Sequence, residues 1–423
     1  MSLRIPSTGI LDTHVTWEEV ESHLSHALKT AAKFGPGRCV EHIGQGSGYM
    51  SRIALITCDW TQDRDRLPQR IALKLATGLA ISEAEAQTPQ EHRVDNMEEM
   101  WKYLELFVRK SHNHECFAYE FLKKFEEQLL IPKTYYDIKF DDENTLNGQI
   151  ALEFIEDGKM EHLHTVLTIE QLNEIAMELG KVGAISFKNG VENIKEFSDI
   201  GIFTQFWFNV TPDIIKKMLG ALTQIEPTAA VEKAVADIMN IVPKYYGTNL
   251  PETICDQLRI KKTLVHGDLW SSNVLFNRET GKLRSIVDWQ LAHHGIGVED
   301  ITRIALSGLS KTERRTHMSD ILDKMYDSLL KEMAGEETPY TREEMHEIYE
   351  ILFPHCAFFF IPVCLPNIHS MLKNPDADNI KAKKETLMDK VIGILEDIVE
   401  YDQRNQNKPK LQWKNAAFVQ NEI

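Results

Sequence analysis

The chain has no long apolar run, no paired cysteines and no excess of positive charge. Its most apolar stretch, CAFFFIPVCLP (356–366), is shorter than the ~20 residues a membrane-spanning helix needs, and prolines interrupt it. It reads as buried core, and no membrane span is expected. The cysteines (Cys39, Cys58, Cys116, Cys255, Cys356, Cys364) form no CxxC pair. That disfavours a disulfide framework and a cysteine metal site, and it fits a reducing, cytoplasmic setting. The start, MSLRIPSTGILDTHV, has no apolar core of the kind a secretory signal carries. With 47 Lys and Arg against 64 Asp and Glu, the net charge of −17 gives no basis for nonspecific binding to nucleic acid or an anionic membrane. No internal repeat or low-complexity tract is present, and no pattern specifies an oligomer.

What is there is an ordinary globular composition, 43% hydrophobic and 26% charged, over 423 residues. That length exceeds one core of usual size, so two domains are expected. THVTWEEVESHLSHALKTAAKFG opens a helix, with Thr16 and Glu19 as a capping box and helical spacing up to Gly35. Strand patterns follow at 38–43, 49–58 and 70–76. The polar, acidic segment from Ile81 to Glu99 reads as a loop or an inserted helix. Residues 100–130 read as helix with a break near Ser111–Asn113, ended by Pro132. Two more strands, KTYYDIKF and NGQIALEFIE, lead to EDGK (156–159), a hinge. Beyond it the pattern is mostly helical; Leu172, Ile175, Ala176, Leu179 and Val182 form one stripe. NVLFNRETGKLRSIVDW reads as two short strands about a turn. The expected fold is α+β and two-lobed: residues 1–157 as a small β-rich lobe with an N-terminal helix, and 158–423 as a large helical lobe.

The chemistry-bearing stretch is TLVHGDLWSSNVLF (263–276). Phosphoryl transfer to a hydroxyl needs a carboxylate beside the attacking oxygen and oxygen ligands for magnesium. Asp268 suits the first, Asn273 the second, and His266 suits a role in ordering the loop. Alone, the stretch fits a turn cap and a strand start equally well. Asp288 then closes RSIVDW, the return strand of the hairpin that Asn273 begins, which predicts that the two lie close. Upstream, IALK resembles the strand motif that presents a lysine to nucleotide phosphates, making Lys74 the candidate. Its carboxylate partner is Glu115 or Glu120; helical phasing favours Glu115. IGQGSGYMS supplies a glycine-rich turn, in which Gly44, Gly46 and Gly48 admit phosphates to backbone N–H groups and Ser47 or Ser51 adds a hydroxyl. In LEFIE, backbone at Glu153 and Ile155 is placed to meet an adenine edge.

The order IGQGSG, IALK, HECFAY, LEFIE, LVHGDLWSSNVLF, SIVDW resembles the CHK kinase-like (ecdysteroid kinase-like) family of the aminoglycoside phosphotransferase and choline kinase superfamily. The resemblance runs from about residue 15 to 400. It implies a protein-kinase-like fold, ATP with Mg²⁺, and a small-molecule alcohol as acceptor. It further implies Asp268 as catalytic base, Asn273 and Asp288 as magnesium ligands, Lys74 as phosphate lysine and Glu115 as its partner. Protein kinases instead carry H-R-D, D-F-G and a later A-P-E. Here the triplets are His266-Gly267-Asp268 and Asp288-Trp289-Gln290, and no A-P-E follows, which favours a small acceptor. Asp300, in VEDITRIALSGL, supports the active loop or caps its helix. A steroid-like or xenobiotic alcohol is placed ahead of choline or an amino sugar. The competing reading is a catalytically silent kinase-like protein that binds a ligand or partner.

Overall fold

The computed structural model describes residues 2–44, 50–87, 97–198, 211–246, 250–373 and 379–408. The chain divides into two compact units: Met1–Gly158 with Arg284–Leu291, and Lys159–Leu283 with Ala292–Ile423. A single boundary after residue 157 would have left Arg284–Leu291 with the C-terminal part. That segment belongs to the first unit because Ile286 donates its N–H to the Leu130 carbonyl at 2.8 Å and Arg284 pairs with Asp157 at 3.1 Å.

In the first unit, helix α1 (Trp17–Ala27) starts at a capping box. The Glu19 N–H donates to Thr16 Oγ1 at 3.3 Å and the Thr16 N–H to Glu19 Oε2 at 2.7 Å. The helix stops well short of Gly35, since Lys29 takes a left-handed φ of 53°. Strands β1 (Cys39–Ile43), β2 (Ser51–Thr57), β3 (Arg70–Ala76), β4 (Thr134–Ile138) and β5 (Gln149–Glu153) form an antiparallel sheet in the order β1-β2-β3-β5-β4. Strand side chains alternate between faces. Ile71, Leu73 and Leu75 of β3 therefore join Val20 and Leu24 of α1 in one core, and Lys74 is left on the other face. Helix α2 (Leu79–Gln87) occupies part of the acidic segment.

Helix α3 (Met97–Leu122) shows no break at Ser111–Asn113. The polar run that suggested one is satisfied in place. Ser111 Oγ donates to the Phe107 carbonyl at 2.7 Å, one turn back. The Asn113 amide pairs with both main-chain groups of Phe140, at 2.8 Å each, and His112 Nε2 meets the Ile138 carbonyl at 2.8 Å. Tertiary hydrogen bonds thus hold residues of low helix preference inside the helix.

Strand β6 (Gly158–Met160) carries the chain into the second unit. There follow α4 (Ile169–Lys188), α5 (Pro212–Ile225), α6 (Ala229–Ile238), α7 (Val242–Tyr245), α8 (Leu250–Leu258), β7 (Thr263–Val265), β8 (Val274–Asn277), β9 (Leu283–Ile286, returning to the first unit), β10 (His293–Gly295), α9 (Val298–Gly308), α10 (Lys311–Met333), α11 (Arg342–Lys373) and α12 (Ile380–Gln406). The stripe expected on α4 is buried throughout. CAFFFIPVCLP lies in α11, where Cys356, Phe358, Phe360, Ile361, Cys364 and Leu365 are core. No helix among the described residues is long and apolar enough to cross a membrane. The architecture is α+β, a β-rich first unit and a larger helical second unit.

Helices α4 and α10 approach closely at Gly180, where an added Cβ would lie 2.3 Å from the Met325 carbonyl oxygen. Gly180→Ala is therefore expected to lower stability by about 1–3 kcal/mol through overpacking. Gly220→Ala on α5, with nothing within 4 Å, should be neutral or stabilising. Thermal melts of the two variants check the contrast; equal melting temperatures would contradict it.

Candidate active site

The candidate residues fall into two groups of side chains, one in each unit. In the first unit, Lys74 sits mid-strand on β3 between Ile53 and Ile150 of its neighbours. Its Nζ lies 2.5 Å from Glu115 Oε2 and 2.6 Å from Asp288 Oδ1. Glu120 pairs elsewhere, with Lys139. The two glutamates are five residues apart on α3, about 140° around its axis, so only one can face β3. Lys74 is 7% exposed and Glu115 1%.

Burial alone would pull the Lys74 ammonium down, but Asp288 and Glu115 outweigh it and hold it above the usual lysine range. Burial pushes the Glu115 carboxyl up, against the pull of Lys74. One lysine beside two carboxylates is a buried cation with more than its own charge compensated. Asp288, half-buried, takes a left-handed φ of 68°, which an L-residue adopts only at a cost. The bend is fastened by the buried Trp289, whose Nε1–H donates to the Ile286 carbonyl at 3.2 Å.

In the second unit, β7 delivers His266 to a turn at Gly267, whose φ is 81°. Asp300 of α9 holds this turn. Its Oδ2 accepts the His266 N–H at 2.7 Å and its Oδ1 the Gly267 N–H at 3.0 Å. Of the two roles open to Asp300, support of the loop is the one observed. His266, fully buried, accepts the Asp268 N–H on Nδ1 at 3.2 Å and so orders the loop backbone. The Asp268 carboxylate receives the indole N–H of Trp270. Asn273 returns its amide N–H to the Asp268 carbonyl at 2.7 Å. Ser271 N–H donates to Ser307 Oγ on α9 at 3.2 Å.

Asp288 and Asn273 fall in different units; the Asp288 carboxylate pairs with Lys74, and the Asn273 side-chain amide donates to the Asp268 carbonyl. Carboxylate and amide oxygens are the hard donors that magnesium prefers, so the residue types fit that ion. Gly44 is exposed with φ of 68° at the end of β1, while Gly46, Ser47 and Gly48 lie outside the described residues. Glu153 is exposed at the end of β5, and its N–H donates to the Lys133 carbonyl at 2.8 Å. The Ile155 carbonyl accepts the Gly158 N–H at 3.0 Å. Trp270 and Ser307 were not singled out by the sequence. The only signal for the latter was its spacing, seven residues after Asp300 on one face of α9.

A family model described as "DUF1679: Uncharacterized oxidoreductase dhs-27" matches residues 3–406. An "Uncharacterized kinase-like protein D1044.1" from Caenorhabditis elegans is 29% identical over 151 residues, 34% of this chain. The match spans only 39% of that relative's length. Among solved structures, a GDP complex of an aminoglycoside 2′-phosphotransferase-IIIa mutant is similar at 12% identity, with 93% of this chain and 99% of that one covered and a TM-score of 0.41. Ethanolamine kinase from Plasmodium vivax is similar at 14% identity over 85% and 84% of the two chains, with a TM-score of 0.35. Both are small-molecule phosphotransferases.

Burial raises the Asp300 carboxyl from 3.8 to about 7, with the His266 and Gly267 N–H groups pulling it back. A folded-state value above the unfolded one means the native chain binds the extra proton between those limits. The resulting stability is fully present below 3.8 and is lost as pH rises through about 7. The difference in melting temperature between wild type and Asp300→Asn should therefore shrink in favour of the variant from pH 4 to 8. A pH-independent difference would contradict this.

Proposed function

The chain belongs to the DUF1679 family, and from that premise and the two residue groups we propose that it is an ATP-dependent phosphotransferase acting on a small-molecule alcohol. The observation that carries the reading is the buried Lys74 held between Glu115 and Asp288. A strand lysine paired with a helix glutamate is the arrangement that presents one cation to nucleotide phosphates. In this reading the family's oxidoreductase description does not extend to this chain. Gly44 connects two antiparallel strands, whereas the dinucleotide fingerprint joins a strand to a helix.

The roles are as follows. Asp268 accepts the proton of the acceptor hydroxyl as its oxygen bonds to phosphorus and ADP leaves. Trp270 holds that carboxylate in one orientation, and His266 and Asp300 fix the backbone beneath it. Lys74 binds phosphate oxygens, and Glu115 keeps it in place. Asn273 and Asp288 would hold magnesium through their side-chain oxygens, and the ion would neutralise phosphate charge. Gly44, Gly46, Ser47 and Gly48 belong to the phosphate loop, and Glu153 and Ile155 to the adenine side. The acceptor is a steroid-like or xenobiotic alcohol, in a cytoplasmic setting in keeping with six free cysteines.

Asp268→Ala should lower ATP-dependent phosphorylation by about 10²–10⁴-fold with an unchanged melting temperature, as expected for loss of a general base. Product formation in a metabolite extract, followed by mass spectrometry, reads this out, and undiminished turnover refutes the role. Millimolar ATP with Mg²⁺ should raise the melting temperature of the wild type and not of Lys74→Met. A wild type that ATP does not stabilise would favour a silent ligand-binding protein.

A further inference from the structure

Arg303 of α9 is 8% exposed. Its guanidinium lies over the ring of Trp270, 5.8 Å from Cζ to centroid, and over Phe359 at 5.7 Å. Among the described residues it makes no ion pair and no hydrogen bond, and its Nε is buried without a partner. The carboxylates beside it are engaged elsewhere. Asp300 gives both oxygens to the His266 and Gly267 N–H groups. Glu299 accepts the Ile296 N–H at 3.4 Å and faces His293 at 3.9 Å. His355, also near, adds no charge: burial lowers it to about 4. An arginine taken from water normally finds a carboxylate for its planar fork of donors. Ring faces compensate its charge in part and satisfy none of those donors.

The same indole that Arg303 covers donates to the Asp268 carboxylate. Phe359, half-buried between Arg303, Tyr246 and His355, adds an apolar wall. A chain of net charge −17 repels anions on average, so a bound anion needs a local cation of this kind.

We propose that Arg303 is the anchor for the acceptor: the alcohol phosphorylated here carries a compact oxyanion, a carboxylate or sulfate, that forks onto the guanidinium while its apolar body lies against Phe359 and Trp270. This deepens the phosphotransferase reading and rests on Asp268 acting there as base. A quaternary ammonium or amino sugar would meet like charge at the same place.

Four probes of one ring size test the proposal by calorimetry on the full chain: benzoate, benzenesulfonate, benzyl alcohol and benzyltrimethylammonium. At least one anion should bind at least tenfold more tightly than the alcohol and the cation. Comparing the two anions separates a planar carboxylate from a tetrahedral sulfonate, which stands in for sulfate. Arg303→Gln should erase the preference, and Arg303→Lys, which keeps the charge without the fork, should retain part of it. Should Arg303→Gln fail to fold, the order of the probes on wild type and Arg303→Lys decides. Absence of anion binding to the folded wild type, equal binding of the cation, or an unchanged preference in Arg303→Gln overturns the inference. Lys74→Met should keep the anion preference while losing stabilisation by ATP, so the two readings fail separately.

Discussion

A single carboxylate, that of Asp300, holds the turn from which the chemistry of the second unit is built. The left-handed Gly267 presents two consecutive N–H groups in one direction, and buried N–H groups require acceptors. A carboxylate supplies two acceptors at once; an amide supplies one and adds a donor that clashes. Each such bond contributes about 1.5–3 kcal/mol against the cost of burying the charge, so the net gain is small. What results is a fixed direction more than added stability. From that turn His266 folds back under Asp268, Asn273 ties to its carbonyl and Trp270 sets its side chain.

The first unit uses the same device with the sign reversed. Lys74 is buried on β3 and fixed by two carboxylates from distant parts of the chain, α3 and the segment after β9. Replacing such a group by apolar residues can be neutral, but removing one partner leaves a buried charge and costs about 3–5 kcal/mol. The arrangement therefore resists drift. It also holds Asp288 in a conformation that the residue does not favour.

Much of this was legible because it is local. HGDLWSSN, IALK and IVDW each confine their chemistry to a few residues, and the strands around them show plain alternation. Helical phasing favours Glu115 over Glu120, since the two point about 140° apart, and leaves the choice open; the ion pairs with Lys74 and Lys139 decide it. The features that were not legible depend on distant contacts. The continuity of α3 through Ser111–Asn113 rests on main-chain groups of Ile138 and Phe140. The assignment of 284–291 to the first unit rests on Leu130 and Asp157. Helix α9 was recognisable as a helix, but all its residues from Val298 to Gly308 are buried. With no solvent face, its periodicity cannot say which of Glu299, Asp300 and Arg303 meets the loop.

Three buried cations show how partners, and not burial, separate framework from chemistry. Lys390 is 1% exposed, and burial lowers its ammonium to about 8. Its three donors meet the carbonyls of Leu163, Thr165 and Ser307 at 2.9, 2.6 and 2.7 Å. Every proton has an acceptor from the backbone, so this lysine ties segments together and has nothing left to offer a ligand. Lys74 stands between two carboxylates, one of them on a half-buried residue. Arg303 has ring faces and no acceptor among the described residues. Helix α9 carries it one turn from the Ser307 carbonyl that Lys390 caps, so the same helix meets one cation that is fully satisfied and carries one that is not. Desolvation is unfavourable for both, and only Lys390 has its donors matched within the fold, while ring faces compensate Arg303 in part. The arginine's donors are matched when an oxyanion arrives, which is the condition that makes a charge a recognition element.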